Sequence, residues 1–198
     1  MPVAPRRITE VIIPAQLLRK IPDLIVPFHE QTKSRGMTFG LGPAGYDIRA
    51  AERVVVTRET FVRAAAIERF SLPLDVLGQV CDKSTWARRG IAVQNTIIEP
   101  GWHGYLTLEL TNHGIVDMVV EAGDPIAQVL FFRLECDTEQ PYAGKYQDQP
   151  PGPQPALMEP MGAQSLSGLR CHECANTNMI RTGQCWTCAT CGSTTGCG

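Results

Sequence analysis

Short apolar or alternating segments, separated by turn residues, fill most of this chain between Gly45 and Glu135. They include YDIRA, RVVVT, VLGQVCD, YLTLELTN and AQVLFFRLE, and Pro-Leu-Asp, Glu-Pro-Gly and Ala-Gly-Asp-Pro stand between such segments. Proline, glycine and aspartate in these combinations favour tight turns. Many short strands at this spacing, with little helical periodicity, predict an all-β barrel or sandwich.

The length and charge of the chain exclude several classes of protein. Its 198 residues suffice for one good core and a small appendage. The net charge of −2 argues against a general nucleic-acid surface, which is normally basic. No apolar run approaches the roughly 20 residues of a membrane span, and the N-terminus lacks the apolar stretch of a secretory signal. We therefore expect a soluble, cytoplasmic protein.

Four regions follow one another along the chain. Residues 1–40 are expected to pack on the barrel and to hold a short helix between Ile8 and Ile21, with Pro14 near its start. Residues 41–146 form the predicted barrel. Residues 147–169 are rich in proline and are either an extended tether or, in their first half, a segment that packs over the barrel. Residues 170–198 make up a compact cysteine module.

Glu109 is the residue from which the chemistry of the barrel is inferred. It lies in an LTLEL run, where strand alternation puts Leu106, Leu108 and Leu110 on one face and Glu109 on the other. A buried carboxylate is costly unless it is paired or used, whereas a solvent-facing glutamate would need no role. Polar residues near the ends of neighbouring strands favour a catalytic centre; they are Ser84, Thr85, Arg88, Gln94, Asn95 and Glu99.

Five segments carry a resemblance to a known superfamily. They are GPAGYDIRAAE (42–52), DKSTWARRG (82–90), IIEPGWHGYLTLELTN (97–112), EAGDPIAQVLF (121–131) and residues 141–153. In this order they resemble the motifs of the trimeric dUTPase and dCTP deaminase superfamily. The resemblance implies a dUTPase-like distorted β-barrel or jelly roll, a homotrimer with sites between subunits, and a C-terminal tail that covers the nucleotide.

The details of these segments favour the deaminase branch. Glu109 matches the glutamate of a Leu-Glu-Leu-like strand, and residues 144–149 match a Gly-Lys-Tyr-x-x-Gln segment. The dUTPases instead carry a glycine-rich C-terminal motif, which this chain lacks. They also use an aspartate where this chain has Glu99.

The resemblance implies deamination of dCTP to dUTP and ammonia, which would supply dUTP for pyrimidine deoxynucleotide synthesis. Glu109 would shuttle protons without a catalytic metal, while Ser84 and Arg88 would hold the water, the carboxylate or a phosphate. Mg²⁺ would accompany the triphosphate. The implied substrate-binding residues are Lys83, Thr85, Gln94, Asn95, Glu99, Lys145, Tyr146 and Gln149.

Two departures from the deaminase pattern keep other functions open. Glu99 replaces an aspartate, and the stretch from Ser84 to Glu99 is shorter than in typical deaminases. The resemblance implies that this loop reads the edge of the base through its backbone, so the identity of the pyrimidine depends on it. The alternatives are a dUTP pyrophosphatase, a bifunctional deaminase and dUTPase that yields dUMP, and a non-catalytic nucleotide-sensing protein.

Several polar and aromatic residues have a structural interpretation. A supporting role in packing is expected for Asp47, Trp86, Asp124 and Gln128. Positions at the surface or in turns are expected for His29, His103 and His113.

Six of the eight cysteines lie in the C-terminal module. Their grouping in CxxC pairs fits a metal site in a reducing compartment better than a disulfide framework. Cys171, Cys174, Cys188 and Cys191 are predicted to bind one structural zinc ion, with Cys185 as an alternative ligand. The metal would supply much of the stability of so small a module.

The cysteine module also resembles the C-terminal zinc ribbon of cobalamin-dependent ribonucleotide reductases. This implies a partner related to ribonucleotide reduction, and a plain structural ribbon is the alternative. A catalytic zinc is rejected, because zinc-dependent cytidine deaminases use an H-x-E glutamate before a P-C-x-x-C pair. Here His172 and Glu173 are adjacent, and no proline precedes either pair.

Overall fold

The computed structural model describes residues 12–157, 170–175, 179–182 and 185–195. The chain divides into two compact units, Met1–Pro155 and Ala156–Gly198. The division falls inside the proline-rich region. The finer boundaries proposed from the sequence stay predictions.

The described part of the first unit consists mainly of strands. Its elements are α1 (Ala15–Leu18), β1 (Ile25–Val26), β2 (Thr32–Ser34), β3 (Met37–Gly42), β4 (Gly45–Arg49), β5 (Val54–Val56), β6 (Phe61–Ser71), β7 (Val76–Asp82), α2 (Ser84–Ala87), β8 (Ile91–Val93), β9 (Ile97–Ile98), β10 (His103–Asn112), β11 (Met118–Val120) and β12 (Pro125–Arg133). Both described helices have only four residues. The predicted all-β class is therefore confirmed.

Two antiparallel sheets enclose one hydrophobic core. One sheet has the strand order β2-β3-β4-β12-β7-β9, and the other has the order β1-β6-β10-β8. Phe70 of β6 and Phe131 of β12 are both fully buried, and their ring centroids are 6.4 Å apart. Since these rings belong to different sheets, their contact joins the two layers. A separate two-stranded ribbon consists of β5 and β11.

The N-terminal segment packs into the core of this unit. Helix α1 begins directly after Pro14, within the window predicted for a short helix. Leu18, Leu24 and Ile25 are buried and belong to the same hydrophobic cluster as the sheets. Residues 1–11, which include Ile8, lie outside the described residues.

Turn chemistry works as the sequence predicts. In the Glu-Pro-Gly turn, the backbone N–H of Trp102 donates to the carbonyl of Glu99 at 3.1 Å. In the Ala-Gly-Asp-Pro turn, the N–H of Asp124 donates to the carbonyl of Glu121 at 3.0 Å. The second turn leads into β12 and the first into β10, the strand that carries Glu109.

Residues 142–154, here called the C-terminal strap, fold back onto β10. Strand β6 pairs with β10 along most of its length, whereas β8 pairs only with Leu110–Asn112. The strap makes a parallel bridge between Gln149 and Gly104. Of the predicted tether, residues 147–154 therefore follow the packed alternative, while residues 158–169 lie outside the described residues.

The described strands of the second unit form a three-stranded antiparallel sheet. The strands are β13 (Met179–Thr182), β14 (Cys185–Cys188) and β15 (Thr194–Thr195). Cys171, Met179 and Cys188 form a small buried cluster, against which Trp186 packs. Among the residues described in either unit, we find no helix of the length and apolarity needed to span a membrane.

Candidate active site and metal centre

Glu109 lies on the half-buried face of β10. Burial alternates along this strand, so that Leu106, Leu108 and Leu110 point into the core while Glu109 points away from it. Arg63 of β6 lies opposite Glu109 in the strand register. Burial raises the pKa of the Glu109 carboxyl above its usual value, and its own backbone N–H and the charge of Arg63 oppose this shift. Glu109 is thus neither a fully exposed nor a fully buried glutamate.

Gln94 is brought directly beside Glu109. Its backbone N–H donates to the carbonyl of Glu109 at 2.9 Å, and its side-chain Nε2 donates to Oγ1 of Thr111 at 3.1 Å. Thr111 shares the face of β10 on which Glu109 lies. This contact exists because β8, which ends just before Gln94, pairs with the end of β10.

Asn95 follows Gln94 in the same loop, and Glu99 comes directly after strand β9. Both are exposed. With its amide nitrogen turned inward, Asn95 donates to the carbonyls of Val80 and Val93 at 3.2 and 3.3 Å. In the described part of the chain, neither side chain is hydrogen-bonded to Glu109. Their predicted roles toward the substrate stay predictions.

Ser84, Thr85 and Arg88 lie on or beside helix α2. Trp86 fixes this helix, because its ring is buried and its Nε1 donates to the carbonyl of Pro125 at 2.8 Å. Ser84 and Arg88 are exposed, and Thr85 is partly buried. No hydrogen bond or ion pair within the described residues joins Ser84 or Arg88 to Glu109. Their predicted roles beside Glu109 therefore stay predictions.

Lys83 has a partner that the sequence did not reveal. Its Nζ lies 2.6 Å from Oδ2 of Asp47, and the two side chains are 8% and 13% exposed. A cation held in this way is not free to reach a phosphate in this conformation. The pairing agrees with the structural interpretation of Asp47, while the predicted role of Lys83 in substrate binding stays untested.

Lys145, Tyr146 and Gln149 belong to the strap. Nε2 of Gln149 donates to Oγ1 of Thr107 at 2.6 Å. The carbonyl of Tyr146 accepts a hydrogen bond from Nε1 of Trp102 at 2.7 Å, and Nζ of Lys145 lies 5.3 Å from the centroid of the Tyr146 ring. Because Thr107 and Glu109 share one face of β10, the strap brings Gln149 close to the candidate base.

Two residues that bind the strap were given no functional role by the sequence. Strand alternation in LTLEL puts Thr107 on the face of Glu109, and that shared face is the one signal that the sequence offers for it. His103 was expected at the surface or in a turn, and it is partly exposed at the start of β10. Its contacts with the strap were not predicted. Its Nε2 lies 2.7 Å from Oδ1 of Asp148, and its backbone carbonyl accepts from the Asp148 N–H at 3.0 Å. No local sequence pattern marks that pair.

Four cysteines form a candidate metal centre in the second unit. The sulfur atoms of Cys171, Cys174, Cys188 and Cys191 all lie within 4.8 Å of one another. Two of the separations are 3.5 Å, between Cys171 and Cys191, and 3.6 Å, between Cys174 and Cys188. A tetrahedron of thiolates around zinc, with bonds of ~2.3 Å, has edges of about 3.8 Å. The four-cysteine cluster could therefore hold zinc.

The backbone favours thiolates in this cluster. Hydrogen bonds from the backbone N–H groups of Cys191 and Thr190 lower the pKa of Cys188 to about 6, although burial opposes this shift. Thiolates are the form that binds zinc. Cys185, the alternative ligand, is disulfide-bonded and is not part of the cluster. Cys197 lies outside the described residues.

Comparison with known proteins identifies the family. A family model described as dCTP deaminase-like matches residues 40–134. A dCTP deaminase from Acidobacterium capsulatum is 35% identical over 159 residues, which cover 64% of this chain and 87% of that protein. The chain belongs to the dCTP deaminase family. A second family member, the dCTP deaminase from Campylobacter fetus, is 33% identical over 159 residues and is covered over 86% of its length.

A solved structure supports the same fold. The crystal structure of 2'-deoxycytidine 5'-triphosphate deaminase from Agrobacterium tumefaciens superposes with a TM-score of 0.52 at 16% identity. The match covers 62% of this chain and 48% of that one. At this identity the likeness concerns the fold alone, and it confirms the predicted dUTPase-like architecture. The superfamily resemblance drawn from the motifs is confirmed as well.

Proposed function

We propose that this member of the dCTP deaminase family converts dCTP and water to dUTP and ammonia, with Glu109 as the general base and acid. The observation that carries the proposal is the position of Glu109. It is a half-buried carboxylate of raised pKa on β10. The N–H of Gln94 donates to the backbone carbonyl of Glu109, and Gln149 is hydrogen-bonded to Thr107, two residues earlier on the same face. Enzymes use such a raised pKa because a carboxyl then both accepts and returns protons near neutral pH.

The proposed reaction needs two proton transfers. The carboxylate of Glu109 takes a proton from water as the oxygen attacks C4 of cytosine, and the proton passes to N3. Glu109 then takes the proton of the C4 hydroxyl and gives it to the amino group. The C4–N bond breaks, ammonia leaves and a C4 carbonyl forms. Positioned acid–base groups of this kind accelerate reactions by about 10²–10⁴-fold.

We infer that a second copy of the chain completes the site. Ser84 and Arg88 are exposed and have no hydrogen bond to Glu109 within the described residues, yet their hydroxyl and guanidinium suit water and anion binding. A homotrimer with sites between subunits would bring them to Glu109 of a neighbour. In a cyclic trimer the contacts are head to tail, so every Glu109 meets one neighbouring Arg88.

The inferred trimer has a sharp test. Glu109→Gln and Arg88→Ala should each be inactive alone, but co-expression at equal levels should restore about a quarter of the wild-type activity. This fraction follows because one in four random neighbour pairs combines an intact Glu109 with an intact Arg88. If both residues act within one chain, the mixture stays inactive, and the shared site is wrong.

The triphosphate is proposed to bring its own magnesium. Mg²⁺ usually keeps several waters and binds substrate phosphates, with only one or two carboxylates from the protein. Lys145 and Tyr146 of the strap are proposed to contact the nucleotide.

Zinc is proposed to have a structural role only, in the C-terminal ribbon. We expect the enzyme to act in the cytoplasm. The link to ribonucleotide reduction stays a prediction.

The decisive assay follows ammonia and pyrophosphate from purified protein incubated with Mg²⁺ and either dCTP, dUTP or dTTP. Ammonia from dCTP without pyrophosphate supports the proposal, and both products together indicate the bifunctional alternative. Pyrophosphate from dUTP without any ammonia would show a dUTP pyrophosphatase instead. If neither product appears while dCTP still binds, the nucleotide-sensing alternative gains.

Glu109→Gln tests the assigned base. This variant should release ammonia at least ~100-fold more slowly while binding dCTP almost normally, because the amide keeps the shape but cannot carry protons. Glu52→Gln, an exposed glutamate in the loop after β4, is the matched control and should retain full activity. Full activity in Glu109→Gln would refute the assignment.

A further inference from the structure

The strap is fixed to β10 at two places. At the start of β10, backbone hydrogen bonds run from Asp148 N–H to the carbonyl of His103 and from Tyr105 N–H to the carbonyl of Gln149, both at 3.0 Å. The second place is the hydroxyl of Thr107. Oγ1 of Thr107 accepts from Nε2 of Gln149 at 2.6 Å and from the backbone N–H of Gln154 at 2.9 Å.

These two hydrogen bonds use the full acceptor capacity of the Thr107 hydroxyl, which has two lone pairs. They also close a loop, since Gln149 and Gln154 flank the sequence Pro-Pro-Gly-Pro. Proline has no N–H, so three of the four intervening residues cannot donate a backbone hydrogen bond to β10. Thr107 is therefore a major polar anchor for this part of the strap.

Thr107 also lies two residues before Glu109 on the same face of β10. Residues i and i+2 of a strand are separated by about 6.7 Å, which is within reach of one bound base. A group held at Thr107 thus faces the same space as the carboxylate. The group that Thr107 holds is the side chain of Gln149.

We propose that Thr107 is a positioning residue that fixes Gln149 and the strap beside Glu109. It acts through Gln149 and not on the substrate itself. The effect of Thr107 on catalysis rests on the proposed function, whereas its anchoring of the strap does not depend on that function. Loss of the hydroxyl leaves the Gln149 amide and the Gln154 N–H without their partner, and the strap then leaves β10 more often.

The test compares Thr107→Val, Thr107→Ser and Thr38→Val. Valine keeps the shape and suits a strand but accepts no hydrogen bond, while serine keeps the hydroxyl. Thr38 of β3 is a partly buried strand threonine in the other sheet and controls for the substitution itself. The first measurement is amide hydrogen exchange of the protein without nucleotide. Tyr105 and Gln154 should exchange about tenfold faster in Thr107→Val only.

The second measurement is steady-state deamination of dCTP. In Thr107→Val the KM should rise about tenfold with kcat within about twofold, because binding is weakened while Glu109 is intact. Thr107→Ser and Thr38→Val should stay near the wild-type values. Unchanged exchange and unchanged KM in Thr107→Val would overturn the proposal.

The two measurements separate failure of this proposal from failure of the proposed function. If the wild-type protein releases no ammonia, the function is wrong, yet the exchange experiment still decides whether Thr107 anchors the strap. If deamination is observed but exchange at Tyr105 and Gln154 does not respond to Thr107→Val, the positioning role is wrong and the function stands. A general loss of folding in Thr107→Val would instead raise amide exchange throughout β10. In that case Thr107→Ser decides: normal protection of Tyr105 and Gln154 in this variant supports anchoring by the hydroxyl, and lost protection contradicts it.

Discussion

Lys83 and Asp47 form a nearly buried ion pair that links the start of helix α2 to strand β4, with 2.6 Å between Nζ and Oδ2. Lys83 directly precedes Ser84, so the pair also fixes one end of the segment that carries Ser84 and Arg88. Removal of one partner leaves the other charge buried without compensation. Such a change is typically far more costly than loss of a surface ion pair.

Lys83→Met should therefore lower the free energy of unfolding by about 3 kcal/mol, as measured by urea denaturation. Lys33→Met, at an exposed position on β2, should change it by less than ~0.5 kcal/mol. The double variant Lys83→Met with Asp47→Asn should recover part of the loss, since no unpaired charge remains. A Lys83→Met protein of normal stability that binds dCTP poorly would instead favour the phosphate-binding role predicted from the sequence.

The raised pKa of Glu109 predicts the pH dependence of activity. As the base, Glu109 must be ionised, so kcat/KM should fall as the pH drops through a pKa above 4.5, the ordinary value for glutamate. The measurement is the pH profile of ammonia release at subsaturating dCTP. An acid limb at or below 4.5 would contradict the assignment.

The same shift has the opposite consequence for stability. Because folding raises the pKa of Glu109, the folded state holds the proton of this carboxyl more tightly than the unfolded state does. The resulting contribution to the free energy of unfolding is fully present below pH 4.5 and is lost as the pH rises through the folded pKa. Glu109→Gln should therefore be more stable than the wild type near pH 7, with the difference shrinking toward pH 4. Urea unfolding at several pH values measures it, and a Gln variant that is less stable at pH 7 would refute the argument.

Gly104→Ala should displace the strap by direct collision. A Cβ at position 104 would lie 2.7 Å from the backbone nitrogen of Gln149, and φ there is 147°, which disfavours side chains. Trypsin should then cut after Lys145 faster than in the wild type. Gly123→Ala shares the positive φ, at 82°, but its Cβ would meet nothing within 4 Å. It should lose some stability without faster cleavage at Lys145; equal cleavage in the two variants would contradict the steric explanation.

Zinc content tests the four-cysteine cluster. The purified protein should retain about one zinc ion per chain after dialysis, and Cys188→Ser should lose it. Cys136→Ser, an exposed free cysteine in the first unit, is the control. Cys185→Ser should also keep its zinc, because Cys185 lies outside the cluster. Zinc loss in Cys185→Ser but not in Cys188→Ser would reassign the ligands.

Local sequence patterns predict some features of the candidate active site and miss others. Alternation in LTLEL predicts the face on which Glu109 lies, and the structure agrees because side chains on a strand alternate regardless of the rest of the fold. The motif order predicts that Gln149 binds the substrate; the structure shows its hydrogen bond to Thr107, and its role toward the substrate stays a prediction. Ser84 and Arg88 are a different case. They have no hydrogen bond to Glu109 within the described residues, and the homotrimer proposed above would bring them to Glu109 of a neighbouring chain.

The sequence by itself determined the all-β class and the two-residue period around Glu109, because both depend on neighbours close along the chain. The order of its motifs indicated the family, and the spacing within each CxxC pair indicated a metal site. Only the tertiary structure decided that Lys83 is paired with Asp47, 36 residues away, and that Thr107 holds Gln149, 42 residues away. The tertiary structure also shows which four cysteines come together, and Cys185, the alternative ligand, is not among them. The physical reason is that such partners meet through sheet topology and the return of the strap, which no local periodicity encodes.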